Sequence, residues 1–189
     1  SMPCTSVSSV DSDVFFDNTP PSVPIVDSVT IDPVTNFMHI GWEVSPDLDT
    51  RGYIVFRSIG LTNSYLDTVF GRTNTFYTTT FTSAKIDSFR VVAYDSCANN
   101  SPFGLVHRTI RLNAQLNNCL QGAQLSWNTY VNWPSGVQLY NIYASENGGP
   151  EFFVGSTTST TYFHSPINVS STYVYTVRAV SSAGSETSS

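Results

Sequence analysis

The chain has 189 residues, a formal net charge of −6 and a mean hydropathy of −0.06. It therefore lacks the basic surface that binding to nucleic acids or anionic membranes requires. It also has no apolar run long enough for a transmembrane helix. Charged residues make up only 12% of the chain and aromatic residues 13%, whereas Ser and Thr fill about a quarter of the positions. This composition favours strands over helices, and the aromatic content excludes a disordered chain.

Residues 1–18 are predicted to precede the first complete module. The first two residues are typical of a tag remnant. From Cys4 to Asn18 the chain runs through a cysteine, a polar loop, a short apolar stretch and an asparagine, as it does from Cys97 to Asn113. We therefore interpret this segment as the last loop and strand of a preceding module.

Three landmarks recur along the rest of the chain at a spacing of 85 to 87 residues. The pairs are Gly41-Trp42 with Ser126-Trp127, residues 53–56 with 140–143, and residues 89–93 with 175–179. Each landmark alternates apolar and polar residues, which is the period of a half-buried strand, and turn-forming residues separate them. About seven short strands in each repeat are typical of an immunoglobulin-like β-sandwich. The sequence thus predicts an all-β protein of two tandem sandwiches.

The same residues resemble a fibronectin type III domain. The resemblance lies in a Trp on the second strand, a G-Y-x-V-x-R segment at residues 52–57 and a Y-x-Y-x-V-R-A-V segment at residues 173–180. Tyr173 stands where this family has its tyrosine corner, whereas Asp87 holds that place in the first repeat. The resemblance implies two domains, residues 19–106 and 107–189. Only ten residues follow Ala179, so the last strand of the second domain is expected to be incomplete.

Several short segments also resemble those of a group of large surface proteins. Residues 17–21, 93–97, 107–110 and 143–149 resemble tandem fibronectin-like arrays in secreted proteins of Bacteroidetes bacteria, some tied to gliding motility. This resemblance implies an extracellular or cell-surface location. Charge also divides the chain, because residues 1–104 carry 11 acids and 5 bases, while 3 acids and 3 bases cancel in the rest. Two units with separate surfaces are therefore expected.

Three cysteines allow one disulfide and leave one thiol over. Cys97 follows the sixth strand of the first module and Cys119 precedes the second strand of the next, so a disulfide between them would fix the two modules together. Closing a loop of this size is worth about 3 kcal/mol. The alternative is two unpaired thiols in a reducing compartment. Cys4 is expected to be free or paired with an upstream residue.

Acidic residues give weak support for a metal site. Asp47 and Asp49, with Asp95 in another loop, form a fragment of a calcium loop. The fragment lacks the glycine and the bidentate glutamate of the helical calcium loop. A calcium-free loop is therefore favoured over a calcium site, and no metal is predicted.

Catalysis is not predicted either. The chain has no motif for a nucleophilic serine, a zinc site or a phosphate loop. Glu43 and Glu151 lie in separate modules, so they do not form the carboxylate pair of a glycosidase. The three histidines stand far apart on or near predicted strands: His39, His107 and His164. We therefore predict a protein that is no enzyme and holds no cofactor.

Tyr130 and Trp133 offer one binding hypothesis. They lie between the second and third strands of the second module, outside the alternating pattern. An exposed Trp at this place would stack on a sugar ring. The alternative is that Trp133 packs over the end of the sandwich and shapes the loop.

These features favour a mechanical role. We expect a non-catalytic spacer or adhesion module, monomeric as a fragment, in a secreted or surface-attached bacterial protein whose partner is an unidentified protein or polysaccharide surface. The short junction around residues 105–113 leaves little room for a flexible linker. The alternative is an accessory glycan-binding module of a carbohydrate-active protein, with Tyr130 and Trp133 as the contact. An enzyme domain ranks third.

Overall fold

The computed structural model describes residues 17–32, 35, 37–80, 88–184 and 186–188. Every regular element within these residues is a β-strand, as the scarcity of helix-forming residues predicts. The described residues contain no helix that is long and apolar enough to cross a membrane. The strands form four sheets, two in each half of the chain, so the prediction of an all-β protein with two sandwiches is confirmed.

The first module pairs a three-stranded sheet, in the order β1-β2-β5, with a four-stranded sheet, in the order β4-β3-β6-β7. All neighbouring strands are antiparallel. The two residues of β7, which directly follow the predicted domain boundary at residue 106, pair with Ser88 and Phe89 at the start of β6. Its strands are β1 (Val26–Ile31), β2 (Phe37–Trp42), β3 (Thr50–Ile59), β4 (Thr62–Phe70), β5 (Phe76–Thr80), β6 (Ser88–Asp95) and β7 (His107–Arg108).

The second module repeats this topology, with sheets in the orders β8-β9-β12 and β11-β10-β13-β14. Its last strand, β14, pairs with residues 178–180 of β13. This is the strand that the sequence predicts to be incomplete, and β14 has three residues. The strands are β8 (Leu112–Asn117), β9 (Gly122–Trp127), β10 (Val137–Glu146), β11 (Phe152–Thr157), β12 (Thr161–His164), β13 (Tyr173–Ser181) and β14 (Glu186–Ser188).

The repeated landmarks form the same aromatic pair in the core of each module. Trp42 packs edge-to-face on Tyr53 with ring centroids 5.2 Å apart, and Trp127 packs in the same way on Tyr140 at 5.5 Å. All four rings are at most 7% exposed. Edge-to-face contacts of this kind add about 1 kcal/mol to the burial of the rings. The offset seen in the sequence is therefore the repeat of one packing unit.

Tyr173 closes a turn, as the resemblance to fibronectin type III domains implies. Its phenol oxygen accepts a hydrogen bond from the backbone N–H of Asn168 at 3.3 Å, five residues upstream. This contact fixes the chain that enters β13 from the other sheet. Asp87, which holds the matching place in the first module, lies outside the described residues, as do Cys4 and most of the segment 1–18.

Candidate functional site at the module junction

Tyr130 and Trp133 lie in the loop of residues 128–136 between β9 and β10, which we call the junction loop. Both rings are buried, with exposed fractions of 2% and 7%, and their centroids are 4.3 Å apart. The indole Nε1 of Trp133 donates a hydrogen bond to the backbone carbonyl of Asp27 in β1 of the first module. The hypothesis of an exposed sugar-stacking platform at these residues is therefore wrong, because the first module covers the rings.

The core of the second module positions the junction loop. The phenol oxygen of Tyr140, on β10, accepts the backbone N–H of Tyr130 at 3.2 Å. Tyr53, its counterpart in the first module, accepts the backbone N–H of Ser45 at 2.8 Å in the same way. The repeat thus provides a buried tyrosine that holds this loop in both modules. Only in the second module does the loop carry large aromatic rings onto a neighbouring module.

His107 faces the junction loop from β7 of the first module. The side chain is 3% exposed, and its Nδ1 lies 3.2 Å from the phenol oxygen of Tyr130. Burial lowers the pKa of His107 to about 4 and raises the pKa of Tyr130. Both groups are therefore neutral at pH 7, which is the state that a buried apolar contact tolerates.

The three residues that connect the modules are fixed by burial and hydrogen bonds. Arg108 ends β7 and Leu112 begins β8, and Thr109 and Ile110 between them are each 1% exposed. Asn128 of the junction loop donates to the carbonyl of Thr109 at 3.0 Å and accepts the N–H of Arg111 at 2.7 Å.

Two further contacts join the modules. The Asn132 side chain in the junction loop donates to the carbonyl of Val106 at 2.5 Å. Strand β14 lies against β1. The junction is therefore a packed, hydrogen-bonded interface, and it is the best-defined candidate site in the described chain.

Cys97 and Cys119 are both exposed, unpaired thiols, so the predicted disulfide is not formed in this structure. The topology explains the difference. Cys97 follows the end of β6, whereas the junction packs at β7, which pairs with the start of β6. Cys119 lies in the turn between β8 and β9, and β9 then runs the length of the module before it reaches the junction loop. Both cysteines therefore lie at module ends away from the interface.

The acidic residues that lie close together are not the same three that the sequence analysis grouped. Oxygen atoms of Asp17, Asp49 and Asp95 lie within 4.8 Å of one another. Asp47 instead accepts the backbone N–H of Ser22 at 2.6 Å, and this bond lowers the pKa of its carboxyl group. Sequence spacing pointed to Asp49 and Asp95 but missed Asp17, because Asp17 belongs to the segment that precedes the first module.

Asp95 organises its own loop. The carboxylate is 3% exposed and accepts three hydrogen bonds at 2.8 Å, from the backbone N–H groups of Cys97 and Asn99 and from the Asn99 side chain. The same Asn99 amide donates to the carbonyl of Asp17 at 2.9 Å. These bonds account for the burial of Asp95 and for the approach of Asp17, since a buried carboxylate requires hydrogen-bond donors.

The other two histidines and the two glutamates considered above lie apart from one another and make separate contacts. His39 and His164 each contact one hydroxyl group, on Thr78 at 3.1 Å and on Tyr175 at 3.0 Å. Glu151 pairs with Arg178, whose guanidinium also lies over the ring of Tyr143. Glu43 directly follows β2 in the other module.

Comparison with known proteins gives no family for the chain, although it finds solved structures with some similarity. No family model matches it, and no curated protein matches it. A solved Fn3-like protein from Clostridium thermocellum is 21% identical and is matched over 47% of this chain and 90% of its own, with a TM-score of 0.40. The FN1–FN3 domains of chicken CNTN1 are 17% identical over 90% of this chain and 67% of theirs, with a TM-score of 0.37.

A third solved structure is the central fibronectin-III array of RIM-binding protein, 16% identical over 88% of this chain and 68% of its own, with a TM-score of 0.37. These comparisons lend no support to the resemblance with Bacteroidetes arrays. The description of both modules as fibronectin type III-like sandwiches rests on their shared sheet topology and on the paired Trp and Tyr of each core.

Proposed function

We propose that the two modules form a stiff, non-catalytic spacer in a secreted or surface-attached bacterial protein. The junction supports this proposal, because its packed aromatic rings and buried connecting residues oppose independent motion of the modules. Connections that allow free domain motion are exposed, whereas Thr109 and Ile110 are buried here. The polar, hydroxyl-rich composition with a single lysine supports the extracellular location.

Such a spacer presents its neighbours at a fixed distance and angle. A stalk of this kind needs no pocket of its own, and its partner is the protein or polysaccharide surface that its neighbouring segments reach. The proposed unit is a monomer. Stiffness is the property that an experiment has to measure.

Spin labels on the exposed thiols of Cys97 and Cys119, with Cys4→Ser, report the distance between the modules. We expect one narrow distance distribution for the wild-type junction. Trp133→Ala removes the ring that crosses the interface and is expected to broaden the distribution. Phe153→Ala, which removes a 57% exposed ring on β11, is the matched control and is expected to leave it narrow. A broad distribution for the wild type would overturn the spacer proposal.

Glycan binding is the second candidate function, and a different place favours it. A cleft of about 620 Å³ in the first module is lined by Phe70, Phe76 and the turn between them. The two rings are 73% and 55% exposed. Asn74, in this turn, uses its side-chain amide to donate to the carbonyl of Phe70, and no described residue donates a hydrogen bond to its side-chain oxygen. Exposed rings beside hydroxyl and amide groups are suited to a neutral sugar.

A glycan array tests this second candidate. If the cleft binds a neutral glycan, Phe70→Ala is expected to reduce the signal at least about ten-fold, since Phe70 is the more exposed of the two rings that line it. Tyr65→Ala, which removes a ring that is 61% exposed elsewhere on β4, is the matched control. Absence of binding by the wild-type protein, or equal loss in both variants, would remove glycan binding as a function of this cleft.

A further inference from the structure

A cavity of about 220 Å³ opens beside the junction. Most of its wall is apolar and comes from the segment before β1, from the segment before β7 and from the junction loop: Val23, Pro24, Ile25, Leu105 and Pro134. Val23, Ile25 and Leu105 are 40%, 47% and 65% exposed, although the chain is otherwise rich in surface hydroxyl groups. Apolar groups gathered around an opening are typical of an interaction site.

His107 supplies the buried polar group of this cavity. The phenol oxygen of Tyr130 lies 3.2 Å from Nδ1 of His107, and Nδ1 is the acceptor when the phenol donates its proton. A neutral imidazole that accepts at Nδ1 carries its proton on Nε2. Nε2 has no hydrogen-bond partner among the described residues, and in this tautomer it is a donor on a ring that lines the cavity and is 3% exposed.

Asn132 adds a second polar contact at the cavity. One N–H of its side chain is used by the carbonyl of Val106, and its oxygen has no partner within the described part of the chain. The cavity therefore offers one donor, from His107, and one acceptor, from Asn132. That is the complement of the carbonyl and the N–H of a peptide backbone.

We propose that this cavity binds one bulky apolar side chain of a partner polypeptide, whose adjacent backbone contacts His107 and Asn132. The volume suits a single large side chain, and the apolar walls with few polar groups suit an anchor residue rather than a sugar. No charged side chain lines the described cavity, so the anchor is neutral. The site continues the junction interface, and it rests on the fixed junction proposed above because both modules form its walls.

Blocked amino acids test the site directly by NMR. N-acetyl-L-leucinamide and N-acetyl-L-phenylalaninamide are titrated into the two-module protein, with N-acetylglycinamide and glucose as comparison ligands. We expect saturable shifts for the backbone amides of Val23, Leu105 and Asn132 and for Nε2 of His107. The dissociation constant is expected in the millimolar range for such small ligands. N-acetylglycinamide is expected to bind at least about ten-fold more weakly, since it lacks the apolar side chain.

A filled cavity gives the matched control. Val23→Phe is expected to abolish the shifts, while Val44→Phe, a change at a valine that is 46% exposed outside the cavity, is expected to leave them unchanged. Equal responses to the leucine and glycine ligands, shifts that do not saturate, or binding that survives Val23→Phe would overturn the proposal. The spin-label distances keep the two proposals separate, because a narrow distribution without ligand binding rejects this site and leaves the spacer intact.

Discussion

Replacing Trp133 with alanine is expected to lower the free energy of unfolding by about 3 to 5 kcal/mol, the usual cost of truncating a buried aromatic side chain to alanine. The ring is 7% exposed, packs on Tyr130 and contacts the first module through Nε1. Because these contacts cross between modules, the variant is also expected to unfold in two steps in urea, where the wild type unfolds in one. Fluorescence and circular dichroism, followed together, separate the two steps.

Trp133→Phe divides the effect into its parts. The smaller ring retains most of the packing but leaves the carbonyl of Asp27 without its donor, which is expected to cost about 1 to 2 kcal/mol. Phe153→Ala serves again as the control, with an expected cost of no more than about 1 kcal/mol. A loss for Trp133→Ala that is no larger than the loss for Phe153→Ala would contradict the account of the junction as a packed interface.

The fold is predictable from the repeat, because each landmark is a strand. The alternation of apolar and polar residues that identifies a strand lies within a few neighbouring positions. Trp42 and Trp127 stand at the same place in each repeat, and both pack on a tyrosine of the next strand. Alternation also marked Trp133 as exceptional. It carried no information about the partner of this side chain, which is a backbone carbonyl more than 100 positions away in another module. Contacts between modules depend on their relative orientation, which no local pattern encodes.

The cysteines show the same limit. Cys97 and Cys119 are separated by 22 positions, which is close enough in sequence for a disulfide. Strand β8, however, carries the chain away from the junction before Cys119 is reached. In the sequence His107 is an isolated histidine, because its partner, Tyr130, belongs to the other module. A buried histidine opposite a buried tyrosine is a pair that only the folded junction creates.

Acid is expected to weaken the junction through His107. Its pKa is lowered by burial from 6.5 to about 4, so between these values the unfolded chain binds a proton that the folded chain does not. Stability is therefore complete above pH 6.5 and falls as the pH decreases towards 4, by about 3 kcal/mol in total. Tyr130 stays neutral throughout this range, because burial raises its pKa.

Urea unfolding of the wild type and of His107→Gln between pH 7 and pH 4.5 measures this effect, because glutamine does not titrate. The free energy of unfolding of the variant is expected to depend much less on pH than that of the wild type. Some pH dependence is expected to remain, since burial also lowers the pKa of His164. Asp47, whose pKa is lowered, contributes only below its ordinary value of 3.8 and so stays outside the range. Identical slopes for the wild type and His107→Gln would show that His107 is protonated as easily in the folded junction as in the unfolded chain, and its burial between the modules would then be wrong.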